Sequence, residues 1–154
     1  MLKPTVDDIV RMLELRPLPE EGGLYRETYR SALSTAIYYL LTPDHFSAIH
    51  RVRGDEVFHF YLGDPVEMLL LIPDGSGNVV TLGSDLAAGM RPQVVVRGGV
   101  WQGSRLRDGG AYALLGTTMA PGFEVADFEL GDRATLVTKY PAFAGAITRF
   151  TRDV

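Results

Sequence analysis

The chain has 154 residues, of which 46% are hydrophobic and 22% are charged, and this composition matches one soluble domain with a substantial core. The formal net charge of -4, without any cluster of Lys and Arg, argues against a nucleic-acid partner, and the lack of cysteine excludes disulfides, thiolate nucleophiles and cysteine metal ligands. No apolar run reaches the roughly 18 to 20 residues of a membrane span, and the N-terminus lacks the pattern of a signal peptide, so we expect a cytoplasmic protein without a membrane partner.

The first predicted element is an amphipathic helix over residues 5–15. Thr5 is a good N-cap, and Asp8 stands at the third helical position after it. Pro17 and Pro19 then end the helical pattern. The apolar residues at helical spacing are Val6, Ile9, Val10 and Leu13.

The middle of the chain is predicted to be all β. Short apolar runs alternate there with turn sequences, which is typical of a sandwich or barrel. The polar, glycine-rich segment 73–78 separates two of these runs and predicts a hairpin. The predicted strands cover residues 25–29, 36–41, 46–52, 57–62, 66–72, 79–82, 93–96, 100–105, 111–118 and 123–130.

The end of the chain returns to a helical pattern. Asp132 can cap a helix with Leu136 and Tyr140 on one face, and Pro141 would stop it. A second helical stretch is predicted near residues 144–150. The whole chain, residues 1–154, is therefore expected to be one domain: helix 5–15, a barrel over about 24–130, and a helical tail over 132–150.

The first chemical motif lies in residues 50–63, which resemble the first motif of the cupin superfamily. That motif has a His-x-His pair, a Glu three or four residues later, and a Gly seven residues after the Glu. His50, Glu56 and Gly63 match it, but Val52 stands where the second histidine is expected. The resemblance therefore implies that one of the usual metal ligands is missing.

The second cupin motif has the core Pro-x-Gly-x-x-His, and residues 97–102 align with it. Arg97 stands at the Pro, Gly99 at the Gly, and Gln102 at the His. Only the glycine is retained, so this motif also lacks its usual metal-binding histidine.

A closer resemblance covers nearly the whole chain and identifies it as similar to the small cupin family of the domain of unknown function 985. The family's Leu-x-Pro-x-x-Glu-Gly-Gly opening is matched within residues 15–28, and its Ile-Tyr-Tyr-Leu-Leu element within 34–41. Further matches are Asp-Glu-(Ile/Val)-Trp-His at 55–65, with Phe58 replacing Trp, Gly-Val-Trp-Gln at 99–102, and Ala-Pro-Gly-Phe-Glu at 120–129. The resemblance implies a jelly-roll cupin, or double-stranded β-helix, that commonly dimerises.

Strand geometry predicts a pocket for a small-molecule ligand inside the barrel. Residues two apart share one face of a strand, so His50 faces with Val52, and Val100 faces with Gln102. His59 has the opposite parity to Glu56, which would send it outside or into a subunit interface unless a bulge re-aims it. The expected inward set on the strand that begins near Glu56 is Glu56, Phe58, Phe60 and Leu62.

The predicted roles follow from side-chain chemistry. A neutral histidine beside a carboxylate is a suitable general base, and an inward-facing tyrosine of the Tyr38 and Tyr39 pair could supply a phenol. A purely structural role is the alternative: a satisfied buried imidazole, an amide that bridges strands, or aromatic core. The candidates are His50, Glu56 and His59 for catalysis, and Tyr38, Phe58, Phe60, Trp101 and Gln102 for ligand binding.

Three functions remain open at this level. The first is a metal-independent isomerase or epimerase for a carbohydrate-like substrate, and the second is non-catalytic binding of a small ligand. The third is a metal-dependent enzyme in which His50, Glu56, Gln102 and, if a bulge turns it inward, His59 hold Fe, Mn, Ni or Zn, although an amide is a poor ligand for these ions. Because open sheet edges are often covered by pairing, a homodimer is also expected.

Overall fold

The computed structural model describes residues 2–153 and contains three short α-helices: α1 (Val6–Leu13), α2 (Arg133–Lys139) and α3 (Ala144–Arg149). Thr5 caps α1 together with Asp8 in a capping box, as predicted. The helix ends earlier than residue 15 because Glu14 adopts a left-handed conformation, with φ of 54°. None of the helices between residues 2 and 153 has the length and apolar character that a membrane crossing needs.

The strands form two antiparallel sheets. The first sheet has the order β1-β2-β3-β10-β5-β8, and the second has the order β11-β4-β9-β6-β7. Over residues 2–153 the strands are β1 (Arg16–Pro17), β2 (Leu24–Arg30), β3 (Thr35–Leu41), β4 (Ser47–Arg51), β5 (Glu56–Gly63), β6 (Val66–Leu71), β7 (Gly77–Leu82), β8 (Gln93–Val96), β9 (Trp101–Leu106), β10 (Ala113–Met119) and β11 (Glu129–Leu130).

Three buried layers hold this arrangement together. The main core lies between the sheets and includes Tyr39, Phe58, Met68, Leu106 and Leu115. A second apolar layer joins the outer face of the second sheet to α2 and α3, and a third joins the outer face of the first sheet to α1. Each sheet therefore has one interior face, as alternation along the strands requires. The all-β jelly roll is confirmed, although in the described part of the chain the two sheets share no ladder and form a sandwich rather than a closed barrel.

Most predicted strands are confirmed, including the hairpin in which β6 pairs with β7 across the turn at 73–76. The prediction for residues 123–130 is wrong. This segment contains a 3-10 turn at Val125–Asp127 and only the two-residue strand β11. Its apolar residues do not fill one buried face, since Val125 is 80% exposed and Leu130 is 44% exposed. The segment instead crosses one end of the sandwich and brings Phe128 onto a buried histidine.

Candidate functional site

The structure brings the three predicted polar residues together in the interior. His50 lies on β4, Gln102 on β9 and Glu56 on β5, and they are 2%, 1% and 9% exposed. His50 and Gln102 are direct partners in the ladder of the second sheet. The Nε2 group of Gln102 donates a hydrogen bond of 2.9 Å to Oε1 of Glu56, which belongs to the first sheet. The site therefore spans the gap between the two sheets.

A β-bulge in β4 brings a serine to the same site. From Ser47 to His50, β4 advances three residues, while its partner β9 advances only two, from Ser104 to Gln102. An extra residue on one strand changes the alternation, so Ser47 and His50 both turn toward the interior. Ile49, between them, packs beneath the C-terminal helices on the outer face.

Glu21 is a central member of this cluster that the sequence-based prediction missed. Its Oε1 lies 3.4 Å from Nε2 of His50, and its Oε2 accepts a hydrogen bond of 3.0 Å from the Ser47 hydroxyl. The side chain is only 14% exposed. The signal in the sequence was the Glu-Gly-Gly element, which predicts a turn but does not reveal that the turn directs its carboxylate inward.

The hydrogen bonds of His50 define its tautomer. Its Nδ1 lies 2.8 Å from the carbonyl oxygen of Ala48, and since a carbonyl only accepts, Nδ1 carries a proton. Nε2 then faces Oε1 of the Glu21 carboxylate at 3.4 Å. Phe128 stacks on the imidazole with a centroid distance of 5.3 Å and an interplanar angle of 24°. The aromatic ring thus covers the histidine.

Tyr39 supplies the phenol next to this pair. Its hydroxyl donates a hydrogen bond of 2.5 Å to the carbonyl oxygen of Gly22, beside Glu21. Burial, and then the negative charge of Glu21, raise the pKa of the Tyr39 phenol well above its usual value. The phenol therefore remains a neutral hydrogen-bond donor.

Glu56 and Gln102 form the opposite side of the cluster. Burial, followed by the charge of Glu21, raises the pKa of Glu56, and this effect exceeds the opposing influence of His50, Gln102 and Thr117. Oε1 of Gln102 is buried and has no hydrogen-bond partner among the described residues. A buried amide oxygen without a partner is costly, so this atom is free to accept a hydrogen bond from a new donor without displacing another.

Three predicted site residues lie away from this cluster. His59 and Tyr38 face the outside of the first sheet, as the parity of His59 predicted, and both lie near Tyr61. Nε2 of His59 lies 3.0 Å from the hydroxyl of Thr118. Trp101 packs on the outer face of the second sheet, beneath the C-terminal helices. Tyr38 and Trp101 are therefore corrected as ligand-binding residues of the interior site, and His59 as a catalytic residue of it; the phenol that faces inward is that of Tyr39.

Phe58 and Phe60 point between the sheets, as predicted, and contribute to the main core. A cavity of about 210 Å³ lies at the end of the sandwich where β5 begins. Met119, which lines this cavity, is the ladder partner of Glu56, and Asp127, which also lines it, precedes Phe128. The cavity therefore adjoins the polar cluster rather than containing it. Its other lining residues include Arg53, Gly54, Phe123 and Glu124.

The donor set does not fit the metal site of a typical cupin. His50 is the one imidazole of the cluster, and its two nitrogens face Ala48 and Glu21. Val52 and Gln102 occupy the positions at which the motifs place histidines. Over residues 2–153, no group of three or more His, Asp or Glu side chains is arranged to hold a metal ion. The cluster therefore offers one imidazole, a weak amide donor and the carboxyl groups of Glu21 and Glu56, which differs from the histidine-rich ligand set of a typical cupin.

Comparisons with known proteins agree with this architecture. Residues 7–131 match the family model described as Cupin superfamily (DUF985). A crystal structure of a protein from Shewanella oneidensis shares 34% identity with a TM-score of 0.92, covering 99% of this chain and 100% of that one. A hypothetical protein from Leishmania major shares 29% identity with a TM-score of 0.91, covering 97% and 100% of the two chains.

An uncharacterized protein of Saccharomyces cerevisiae is 29% identical over 132 residues, which cover 70% of this chain and 66% of the yeast protein. The alignment thus spans just under two thirds of that relative. Oxalate decarboxylase of Bacillus subtilis shares 11% identity with a TM-score of 0.60, covering 89% of this chain and 37% of the enzyme. That likeness shows the shared fold alone.

Proposed function

We propose, on the premise that this chain belongs to the cupin superfamily family DUF985, that it is a metal-independent isomerase or epimerase acting on a neutral, carbohydrate-like molecule. The observation that carries the proposal is the pairing of His50 with Glu21 opposite the buried carboxyl group of Glu56. Two titratable groups in different environments are the requirement for acid and base catalysis in one site.

The base of the proposed reaction is the Glu21 and His50 pair. Nε2 of His50 accepts a proton from a substrate carbon next to a carbonyl, and the adjacent Glu21 carboxylate stabilises the imidazolium that forms. The electron pair of the broken C–H bond then forms a C=C bond, and the carbonyl oxygen becomes an enolate oxygen. The Nδ1 contact with Ala48 keeps the imidazole oriented during this transfer.

Glu56 is the acid on the facing sheet. Its raised pKa favours the protonated carboxylic acid, which can give its proton to the enolate oxygen. Tyr39 is a second neutral donor near the base and can stabilise the same developing charge. Isomerisation follows when His50 returns its proton to the neighbouring carbon and Glu56 takes back a proton from the hydroxyl group of that carbon, which becomes the new carbonyl. Epimerisation follows when Tyr39 gives its proton to the opposite face of the original carbon, Glu56 takes back the enol proton, and the proton held by His50 then restores the phenol.

The charges of the site favour a neutral substrate that carries hydroxyl groups. Glu21 and Glu56 both bring acidic side chains to the site, and no Lys or Arg of residues 2–153 is buried with them. An anionic ligand group would meet carboxylates without a compensating cation. The unpartnered Oε1 of Gln102 can accept a hydrogen bond from a ligand hydroxyl.

Solvent exchange provides the test. The protein is incubated in D2O with D-glucose, D-mannose and D-fructose, and loss of the proton next to the carbonyl is followed by NMR. We expect His50→Ala to abolish exchange that the wild-type protein catalyses, and His45→Ala, an exposed histidine, to retain it. Undiminished exchange by His50→Ala would contradict the assignment of the base.

Non-catalytic ligand binding is the second candidate function, and the burial of the cluster favours it. His50 and Gln102 are almost fully buried, and Phe128 covers the imidazole. In this case the same experiment shows saturable chemical-shift changes in the protein on addition of a sugar, without any loss of the substrate proton signal.

We also propose that the protein is a homodimer and that the open part of the outer face of the first sheet forms the contact. Tyr29, Ala36, Thr118, Val57 and Val95 are successive ladder partners across five strands, so they share that face. An uncovered apolar row is suited to self-association about a twofold axis. Light scattering should give twice the chain mass for the wild-type protein and for Val79→Arg on the other sheet, and a reduced mass for Val95→Arg.

A further inference from the structure

The loop that carries Glu21 has an unusual backbone. Glu20, Gly22 and Gly23 have positive φ angles of 65°, 96° and 78°, so Glu21 lies among left-handed residues. For Glu20, which carries a side chain, this conformation is unfavourable and needs support from surrounding contacts. The main-chain carbonyl of Glu21 accepts a hydrogen bond of 2.8 Å from the amide of Ala48, which gives part of that support.

Arg152, in the last residues of the described chain, provides further contacts to this loop. Its Nη1 donates to the carbonyl oxygen of Glu21 at 2.8 Å and approaches that of Glu20 at 3.4 Å. Its Nη2 donates to the carbonyl oxygen of Phe46 at 2.6 Å. The guanidinium also lies over the Phe46 ring, 4.1 Å from the centroid. Arg152 therefore joins the Glu21 loop to the residue that precedes β4.

We infer that Arg152 is a positioning residue for the Glu21 and His50 pair. Its two carbonyl partners belong to the two segments that carry the pair: the loop of Glu21, and the start of the strand that holds Ser47 and His50. By fixing these segments together, the guanidinium sets the separation between the carboxylate and the imidazole. The catalytic role of the pair rests on the proposed function, whereas its positioning by Arg152 does not.

The contacts require an arginine. One planar guanidinium donates along two directions to two carbonyls while its face packs on an aromatic ring, and a lysine ammonium on a flexible stem does not reproduce this combination. The fit is close, since a Cβ atom built on Gly22 would collide with Nη2 of Arg152 and with the carbonyl oxygen of Phe46. Glycine at position 22 thus makes room for the guanidinium.

The test follows the His50 imidazole by nitrogen-detected chemical shifts in the full chain, together with thermal unfolding. Glu21→Gln first defines the change in the His50 signals when the carboxylate charge is lost. We expect Arg152→Gln to move the His50 signals by at least half of that change, and Arg152→Lys to produce a smaller movement. Arg149→Gln is the matched control, because Arg149 lies in the same C-terminal segment but pairs with Asp108.

The double variant Glu21→Gln with Arg152→Gln separates positioning from a general loss of stability. If Arg152 acts through Glu21, the double variant has the His50 signals of Glu21→Gln alone. Wild-type His50 signals in folded Arg152→Gln would overturn the inference, as would a movement equal to that in Arg149→Gln. None of these measurements requires turnover. The test is therefore equally decisive if the protein does not catalyse proton exchange on a sugar.

Discussion

Glu21 and His50 are joined through a single residue that lies between them in the fold. The amide of Ala48 donates a hydrogen bond of 2.8 Å to the carbonyl oxygen of Glu21, and the carbonyl of Ala48 accepts one of 2.8 Å from Nδ1 of His50. The side chains of Glu21 and His50 then meet at 3.4 Å. This closed arrangement links a loop of the first sheet to a bulged strand of the second, and it makes the pair sensitive to changes in either segment.

The charge of Glu21 should be detectable at its neighbours. This charge contributes to the raised pKa of both Tyr39 and Glu56, so we expect Glu21→Gln to lower both pKa values. Carbon-detected NMR titration of the Glu56 carboxyl and the Tyr39 ring measures the change. Glu20→Gln, which alters the preceding exposed side chain, is the control. An unchanged titration of Glu56 in Glu21→Gln would contradict the proximity of the two carboxyl groups.

Glu56 should make stability fall as the pH rises. Because its pKa is raised in the folded state, its contribution is fully present below the unfolded pKa of about 4.3 and is lost as the pH rises through the folded pKa. We expect Glu56→Gln and the wild-type protein to have the same free energy of unfolding near pH 4. At pH 8 the variant should be more stable than the wild-type protein by about 1 kcal/mol, or roughly 2–4 °C in Tm.

The measurement is thermal unfolding of both proteins across this pH range. The difference between the two proteins is the relevant quantity, because other titrating groups affect both equally. A difference that is constant with pH would show that Glu56 has the same protonation in the folded and unfolded chains.

Gly22 should not tolerate a side chain. Its φ is 96°, and an added Cβ would collide with Arg152 and with the carbonyl of Phe46, so we expect Gly22→Ala to cost about 2 kcal/mol or more. Gly145→Ala is the matched control, since Gly145 lies in α3 and its added Cβ would meet no atom within 4 Å. That control should be neutral or stabilising by roughly 0.5–1 kcal/mol. Chemical denaturation measures both, and equal stability of the two variants would argue against the close fit of the loop.

Phe128 should control access to His50. Removing the stacked ring by Phe128→Ala exposes an imidazole that is 2% exposed, so its modification by diethyl pyrocarbonate should become several-fold faster. Mass spectrometry measures the rate for each histidine, with exposed His45 as the internal reference. Val125→Ala, in the same segment but 80% exposed, should leave the rate for His50 unchanged. A slow rate for His50 in Phe128→Ala would show that other residues cover it.

Local patterns in the sequence were sufficient to predict most of the fold. Short apolar runs identify β6 and β7, and the turn between them pairs Leu70 with Asn78 as a hairpin requires. The parity of positions along the next predicted strand indicated that Glu56 and Phe58 share the interior face and that His59 does not. These predictions hold because side-chain direction along a regular strand depends only on parity.

The composition of the site depended on the tertiary structure. Left-handed loop residues, held by a C-terminal arginine, direct the side chain of Glu21 into the site. A bulge in β4, whose partner strand lies far along the chain, directs Ser47 into it. Neither effect leaves a periodic pattern, because each arises from contacts between residues distant in sequence. The sequence by itself thus determined most of the strands, the interior face at the start of β5, and the three residues His50, Glu56 and Gln102. Only the packing of the two sheets decided that a second carboxylate completes the site, and that the phenol beside it is Tyr39.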